Sequence, residues 1–195
     1  MGNNYLIVLL SGKAQNGKST ASQYISEQIN KRAFGSVTVT IKPFAKALKD
    51  LCTDLFGWDG DKGMYADENG KIIEDKGRRL LINVAFVLRG IRPTVWAETV
   101  VKNIKATIMW KPNVFIIDDM RYKNELELMN KEFPKNLLTV RINSTRVVPI
   151  DDPSEKDLDG QMSWDIIINN NGTIEEYYSS LELVVNEVIR RLNNG

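Results

Sequence analysis

At 195 residues, 43% of them hydrophobic and with a formal net charge of +1, the chain suits one substantial α/β core. That charge balance argues against an extended nucleic-acid track, which needs many clustered cations, so no direct polynucleotide binding is expected. With no histidine and one cysteine, Cys52, the chain also excludes imidazole general bases, histidine-ligated metals, cysteine zinc clusters and internal disulfides.

The first apolar run, Tyr5 to Leu10, reads as a buried strand. It is too short for the roughly 20 apolar residues of a membrane span and lacks the basic flank and cleavage site of a signal peptide. A cytoplasmic chain with no membrane partner is expected. Directly after the strand comes Gly12-Lys13-Ala14-Gln15-Asn16-Gly17-Lys18-Ser19, followed by Thr20. Ser19 to Arg32 then places Ala21, Tyr24, Ile25 and Ile29 at helical spacing. Strand, glycine-rich loop and helix form the context in which this pattern binds phosphate. Gly12 and Gly17 let backbone N–H groups converge on the phosphates, and the helix start adds its positive end. Lys18 should reach the β- and γ-phosphates of ATP, and the Ser19 hydroxyl should hold Mg²⁺.

Val37 to Ile41 is the second strand. The next, Val114 to Asp118, lies some seventy residues on, far more than one crossover needs. Residues 43–112 are therefore expected to form a mostly helical insertion carrying a substrate site. Within it, Phe44 to Phe56 reads as a helix with Leu48, Leu51, Cys52 and Leu55 inward. Glu68-Asn69-Gly70-Lys71 carries a tight hairpin signal. Arg78 to Arg89 is a helix with Leu80, Leu81, Val84, Val87 and Leu88 as its core face. Arg78, Ile82, Ala85 and Arg89 form a second line, because eleven residues at about 100° each return to nearly the same direction. An apolar floor with an arginine at each end suits a nucleotide's base and phosphate. Pro93 opens another helix, with Trp96, Val100, Ile104 and Ile108 on one stripe.

The third strand ends in two carboxylates, Asp118 and Asp119, where a P-loop protein places an acid that supports Mg²⁺. Arg121 follows at the edge of the crevice where α/β sheets bind ligands, and Asn124 and Glu125 begin a helix. Leu137 to Ile142 and Asp165 to Ile168 are the last two strands. Between them, the polar and proline-punctuated residues 143–163 read as a lid, with Arg141 and Arg146 flanking its start. Closing a cationic lid neutralises a transferring phosphoryl group and excludes water. Asn171 and Gly172 follow the fifth strand near the P-loop and could border the adenine. Thr173 to Glu176 is a capping box. Helices between the strands point to a parallel sheet of right-handed crossovers.

These residues resemble a phage-type deoxynucleoside monophosphate kinase over nearly the whole chain. The similarity runs through Gly12 to Thr20, Pro43 to Lys49, the arginine helix with Trp96 downstream, Asp119-Met120-Arg121-Tyr122-Lys123-Asn124-Glu125, Asp152-Pro153-Ser154-Glu155, and Trp164-Asp165 through Asn171-Gly172-Thr173. It departs at Ile82 and Ala85, where family members often carry Gln and Gly, and at Asp152, where a His is common. The resemblance implies a single three-layer P-loop kinase domain with a five-stranded parallel sheet in order 2-3-1-4-5. Its core would be residues 1–42, 113–142 and 164–195, its insertion 43–112 and its lid 143–163. It implies ATP and Mg²⁺ and a small deoxynucleotide substrate, and it is compatible with a homodimer. It also implies an acceptor site of Phe44, Lys46, Arg78, Ile82, Ala85, Arg89, Trp96, Arg121 and Glu125. Lys18, Arg121, Arg141 and Arg146 would act on the transferring group. For the metal, the resemblance favours Asp119 and the strand pattern favours Asp118. Competing readings are a kinase of another small acceptor, such as dephospho-coenzyme A, and a non-catalytic ATP-dependent switch.

Overall fold

The computed structural model describes residues 5–60, 65–66, 72–73, 76–108, 113–146, 153–161 and 163–194. Its centre is β1 (Tyr5–Ser11), an apolar run buried on both faces, as a middle strand of a parallel sheet must be. β2 (Thr38–Ile41) lies at one edge, next to β5 (Asn113–Met120), which pairs with β1. On the other side β1 pairs with β6 (Leu137–Asn143), and β6 with the edge strand β7 (Ile166–Asn169). All four pairings are parallel, and the order β2-β5-β1-β6-β7 is 2-3-1-4-5 when only these strands are counted, as expected. Two short strands, β3 (Tyr65–Ala66) and β4 (Ile72–Ile73), pair antiparallel by themselves. The expected hairpin turn between them, residues 68–71, lies outside the described residues.

The sheet separates two apolar layers because neighbouring strand residues point to opposite faces. Leu6, Val8, Leu10, Val114 and Ile116 pack under α1 (Lys18–Arg32) and α7 (Ile174–Asn193), against Ile25, Ile29, Leu181 and Val185. Ile7, Leu9, Phe115 and Ile117 face α2 (Ala45–Phe56), α4 (Val95–Thr107) and α5 (Lys123–Glu132), through Leu48, Cys52, Ile104, Leu126 and Met129. α3 (Lys76–Ile91) packs on α2, and the short α6 (Pro153–Lys156) lies in the segment expected to be the lid. Residues 147–152 and 162 of that segment lie outside the described residues.

Two helix faces depart from the periodic expectation. Leu55 is 67% exposed, because the last turn of α2 extends past the cluster that covers Leu48 and Cys52. On α3, Leu80, Leu81, Val84 and Leu88 pack against the core as expected, but Val87 is 58% exposed and Ala85 is buried in its place. Residues that pack only on another helix, and not on the sheet, bury a narrower stripe than apolar periodicity suggests. Among the described residues no single helix is long and apolar enough to cross a membrane.

Candidate active site

The chain leaves β1 at Ser11, turns through residues 12–17 and enters α1 at Lys18. A Cβ at Gly12 would lie 2.5 Å from the Ile142 carbonyl oxygen, so no side chain fits beside β6. Gly17 has a φ of 93°, and a Cβ there would lie 2.7 Å from Asn170 Nδ2. Both glycines are thus required by close approach. The loop is pinned from three directions. Asn16 Nδ2 donates to the Ile142 carbonyl at 3.0 Å, Asn170 Nδ2 donates to the Asn16 carbonyl at 3.1 Å, and the Tyr177 hydroxyl donates to the Gly17 carbonyl at 3.0 Å. Lys18 folds back across it, donating to the Gly12 and Lys13 carbonyls at 2.6 and 2.7 Å. No side chain caps the start of α1, which leaves first-turn amides directed toward the loop.

A cavity of about 700 Å³ opens here. The loop forms one wall with Ala14, Gln15, Gly17, Lys18, Ser19 and Thr20. Pro43, Ala45, Leu48 and Lys49 of the α2 region and Leu81 of α3 form the other, and Asp118, Asp119 and Arg121 line it from the end of β5. The two aspartates divide between the faces of the sheet. Asp118 continues the side of Val114 and Ile116 and accepts a hydrogen bond from Ser22 Oγ of α1 at 2.9 Å. Asp119 continues the side of Phe115 and Ile117, where its two oxygens accept the backbone N–H groups of Phe44 and Ala45 at 2.7 and 2.9 Å. Burial pushes the Asp119 carboxyl up from its ordinary range, against the pull of those amides.

Glu125 is buried behind this floor. Its Oε2 accepts the N–H groups of Arg121 and Tyr122 at 2.9 and 3.1 Å, and its Oε1 lies 3.3 Å from Arg89 of α3. Burial is the main force lifting its carboxyl to about 7, opposed by the Arg121 amide and the Arg89 charge. Arg89 also stacks over Tyr122, 4.2 Å from the ring centre. Arg121 reaches the other way, with one guanidinium nitrogen 3.3 Å from Ser154 Oγ.

Arg141, nearly buried on β6, donates to Ser11 Oγ at 2.9 Å and to Asp159 at 2.8 Å, and lies over Trp164. The other Asp159 oxygen pairs with Lys13 at 2.9 Å. Arg146 is exposed and donates to the Asn170 carbonyl and side chain at 3.2 and 3.0 Å.

No family model matches the chain. It is similar to a protein of Acanthamoeba polyphaga mimivirus named "Putative deoxynucleotide monophosphate kinase", at 27% identity over 192 residues, 90% of this chain and 93% of that one. Among solved structures, a "putative kinase" from Chloroflexus aurantiacus superposes with a TM-score of 0.51 at 12% identity, covering 98% of both chains. The chain has the P-loop kinase fold. A thymidylate kinase from Ehrlichia chaffeensis also aligns over 98% of this chain and 100% of its own, with a TM-score of 0.44 and 16% identity.

Within this P-loop kinase fold the expected residues fall into three groups. Ala14, Gln15, Gly17, Lys18, Ser19 and Thr20 of the loop, Arg121 and both aspartates share one cavity. Arg89 and Glu125 meet behind it, and Arg141 stands at the base of the loop. Others lie elsewhere. Trp96 is 5% exposed and packs in the core, because its stripe on α4 faces the sheet; its indole N–H has no hydrogen-bond partner among the described residues. The Phe44 ring is core, and only its N–H reaches the site. Lys46 points to solvent and pairs with Asp50, whereas Lys49, not expected, lines the cavity. Ile82 is 53% exposed on α3, and Arg78 lies exposed at the start of that helix. Asn171 accepts hydrogen bonds from Thr145, and Gly172 lies against Glu176 of the capping box. Ser22 and Asp159 were not expected. Ser22 sits one turn after Ser19 on the same helix, a signal that spacing carries, but the partners of Asp159 are brought together only by the fold.

Proposed function

We propose that the chain is a deoxynucleoside monophosphate kinase, transferring the γ-phosphoryl group of ATP to a deoxynucleoside monophosphate. The observation that carries this reading is the shared cavity. The phosphate loop with Lys18 forms one wall, the insertion helices form the facing wall, and Arg121 stands between them. A hydrolytic switch needs the first wall only.

The loop amides and Lys18 hold the donor's β- and γ-phosphates, the Lys18 ammonium exchanging its carbonyl partners for phosphate oxygens. Ser19 and Asp118 both line the cavity and offer the hard oxygen ligands that Mg²⁺ takes, so the residues fit the ion. When bound, Mg²⁺ neutralises charge on the donor's phosphates. Arg121, with Arg89 from α3, orients the acceptor phosphate; Arg78, exposed at the start of that helix, could join them only if α3 moves inward. One of its oxygens forms the new bond to the γ-phosphorus while the bond to the β–γ bridging oxygen breaks and ADP leaves. That attacking oxygen is already anionic at neutral pH, so no general base is required, in keeping with a chain that has no histidine. Arg141 and Arg146 approach from the lid side to stabilise the transferring group.

Steady-state kinetics with ATP against the four deoxynucleoside and four ribonucleoside monophosphates test this. The expected result is ADP release that depends on a deoxynucleotide acceptor. Turnover only with dephospho-coenzyme A would move the assignment to that acceptor, and slow release independent of any acceptor would support the switch.

A further inference from the structure

The two adjacent carboxylates at the end of β5 both line the cavity but have different partners. Asp118 bonds α1 through Ser22. Asp119 spends both oxygens on the first amides of α2. That helix starts without a cap of its own: its N-cap residue is Phe44, whose side chain makes no capping bond, and its first turn has no acid. The opening amides of a helix have no intrahelical partner and need one from elsewhere when buried. Asp119, some 75 positions away in sequence, supplies it. The helix so held contributes Ala45, Leu48 and Lys49 to the wall opposite the phosphate loop.

We propose that Asp119 is a positioning residue, a cap supplied from the sheet that fixes α2, and with it the acceptor wall, at a set distance from the phosphate loop. It rests on the kinase reading and deepens it: the metal-supporting role belongs to Asp118, and the acceptor-aligning role to Asp119. Alternation along the strand explains the division, since consecutive side chains point to opposite faces of the sheet.

The full chain carrying Asp119→Asn provides the test, beside Asp118→Asn. An asparagine turns one of the two accepting oxygens into an NH₂ donor and removes the charge, so it cannot reproduce one oxygen for each α2 amide. Asp119→Asn should raise KM for the deoxynucleotide about tenfold, the scale of one lost charge-assisted hydrogen bond, and leave the Mg²⁺ concentration for half-maximal rate and the Kd of a non-hydrolysable ATP analogue unchanged. Asp118→Asn should shift the Mg²⁺ requirement instead. If Asp119→Asn raises the Mg²⁺ requirement while acceptor KM holds, or weakens both nucleotides equally, the proposal is overturned. Amide hydrogen exchange on the unmutated chain decides the same point without any variant. The Phe44 and Ala45 amides, first-turn groups that ordinarily exchange fast, should be protected like core amides, and fast exchange there overturns the tether. If the unmutated chain phosphorylates no deoxynucleotide, the kinase reading fails, while the exchange measurement still decides the tether.

Discussion

Lys13 of the phosphate loop lies 2.9 Å from Asp159, whose other oxygen is 2.8 Å from Arg141. One carboxylate beyond α6 therefore ties together two cations that flank the place where a triphosphate tail would run. A nucleotide whose phosphates reach these cations would compete with it. Asp159→Asn should tighten the Kd of an ATP analogue severalfold at low ionic strength. The gain should shrink in salt, because the Asp159 side chain is 41% exposed and such pairs are screened. Fluorescence titration at two salt concentrations measures it, and weaker binding would show that the bridge closes on the nucleotide.

Lys18→Ala should lower kcat by two orders of magnitude or more, through the loss of a charge placed at the transferring group. In the structure Lys18 donates to carbonyls of its own loop and carries no packing role in the core, so the melting temperature should move by a few degrees at most. Circular dichroism melts beside the assay separate the two effects.

Gly12→Ala should cost both stability and nucleotide binding. The added methyl would lie 2.5 Å from the Ile142 carbonyl oxygen, a backbone atom that cannot rotate away. Separating the loop from β6 also strains the Asn16 bond to the same carbonyl. A loss of about 1–3 kcal/mol, the overpacking range, is expected in urea unfolding, with ATP binding falling as well.

Glu125 sets a pH dependence whose sign follows from its raised carboxyl. Below about pH 4.5 the group is protonated in both folded and unfolded chains and its contribution to stability is fully present. Between 4.5 and about 7 the unfolded chain ionises while the folded one keeps its proton, so that contribution is lost as pH rises. The total is on the order of 3 kcal/mol. The raised Asp119 carboxyl adds to the loss with the same sign. Glu125→Gln should flatten the slope of unfolding free energy between pH 5 and 7. An unchanged slope would place the titration elsewhere.

Arg89→Ala should raise KM for the acceptor more than it lowers kcat. It also leaves Glu125 without the cation 3.3 Å away, so the Glu125 carboxyl should climb further and its titration move to higher pH. The same pH series on this variant reads that shift.

Much of this was legible in the chain itself. The strand of Leu6 to Leu10, the glycine pattern after it and the alternating faces of Val114 to Asp119 are local signals, and local signals survive folding. The acceptor side was less legible. Trp96 and Arg78 obey the same periodicity whether a helix packs on the sheet or borders a cleft, and only the docking of α3 and α4 decides which. For Asp119 the resemblance suggested a metal role; its bonds to the Phe44 and Ala45 amides are a contact that no spacing encodes. Asp159 stands in a polar stretch with no period at all, so its bridge between Lys13 and Arg141 comes from topology alone.

The central claim is that a donor and an acceptor phosphate meet between the phosphate loop and α2. Incubating the chain with Mg²⁺ and γ-labelled ATP, with each deoxynucleoside monophosphate in turn, tests it most directly. The account predicts label in the deoxynucleoside diphosphate, abolished by Lys18→Ala; label found only in free phosphate, whatever acceptor is present, would contradict it.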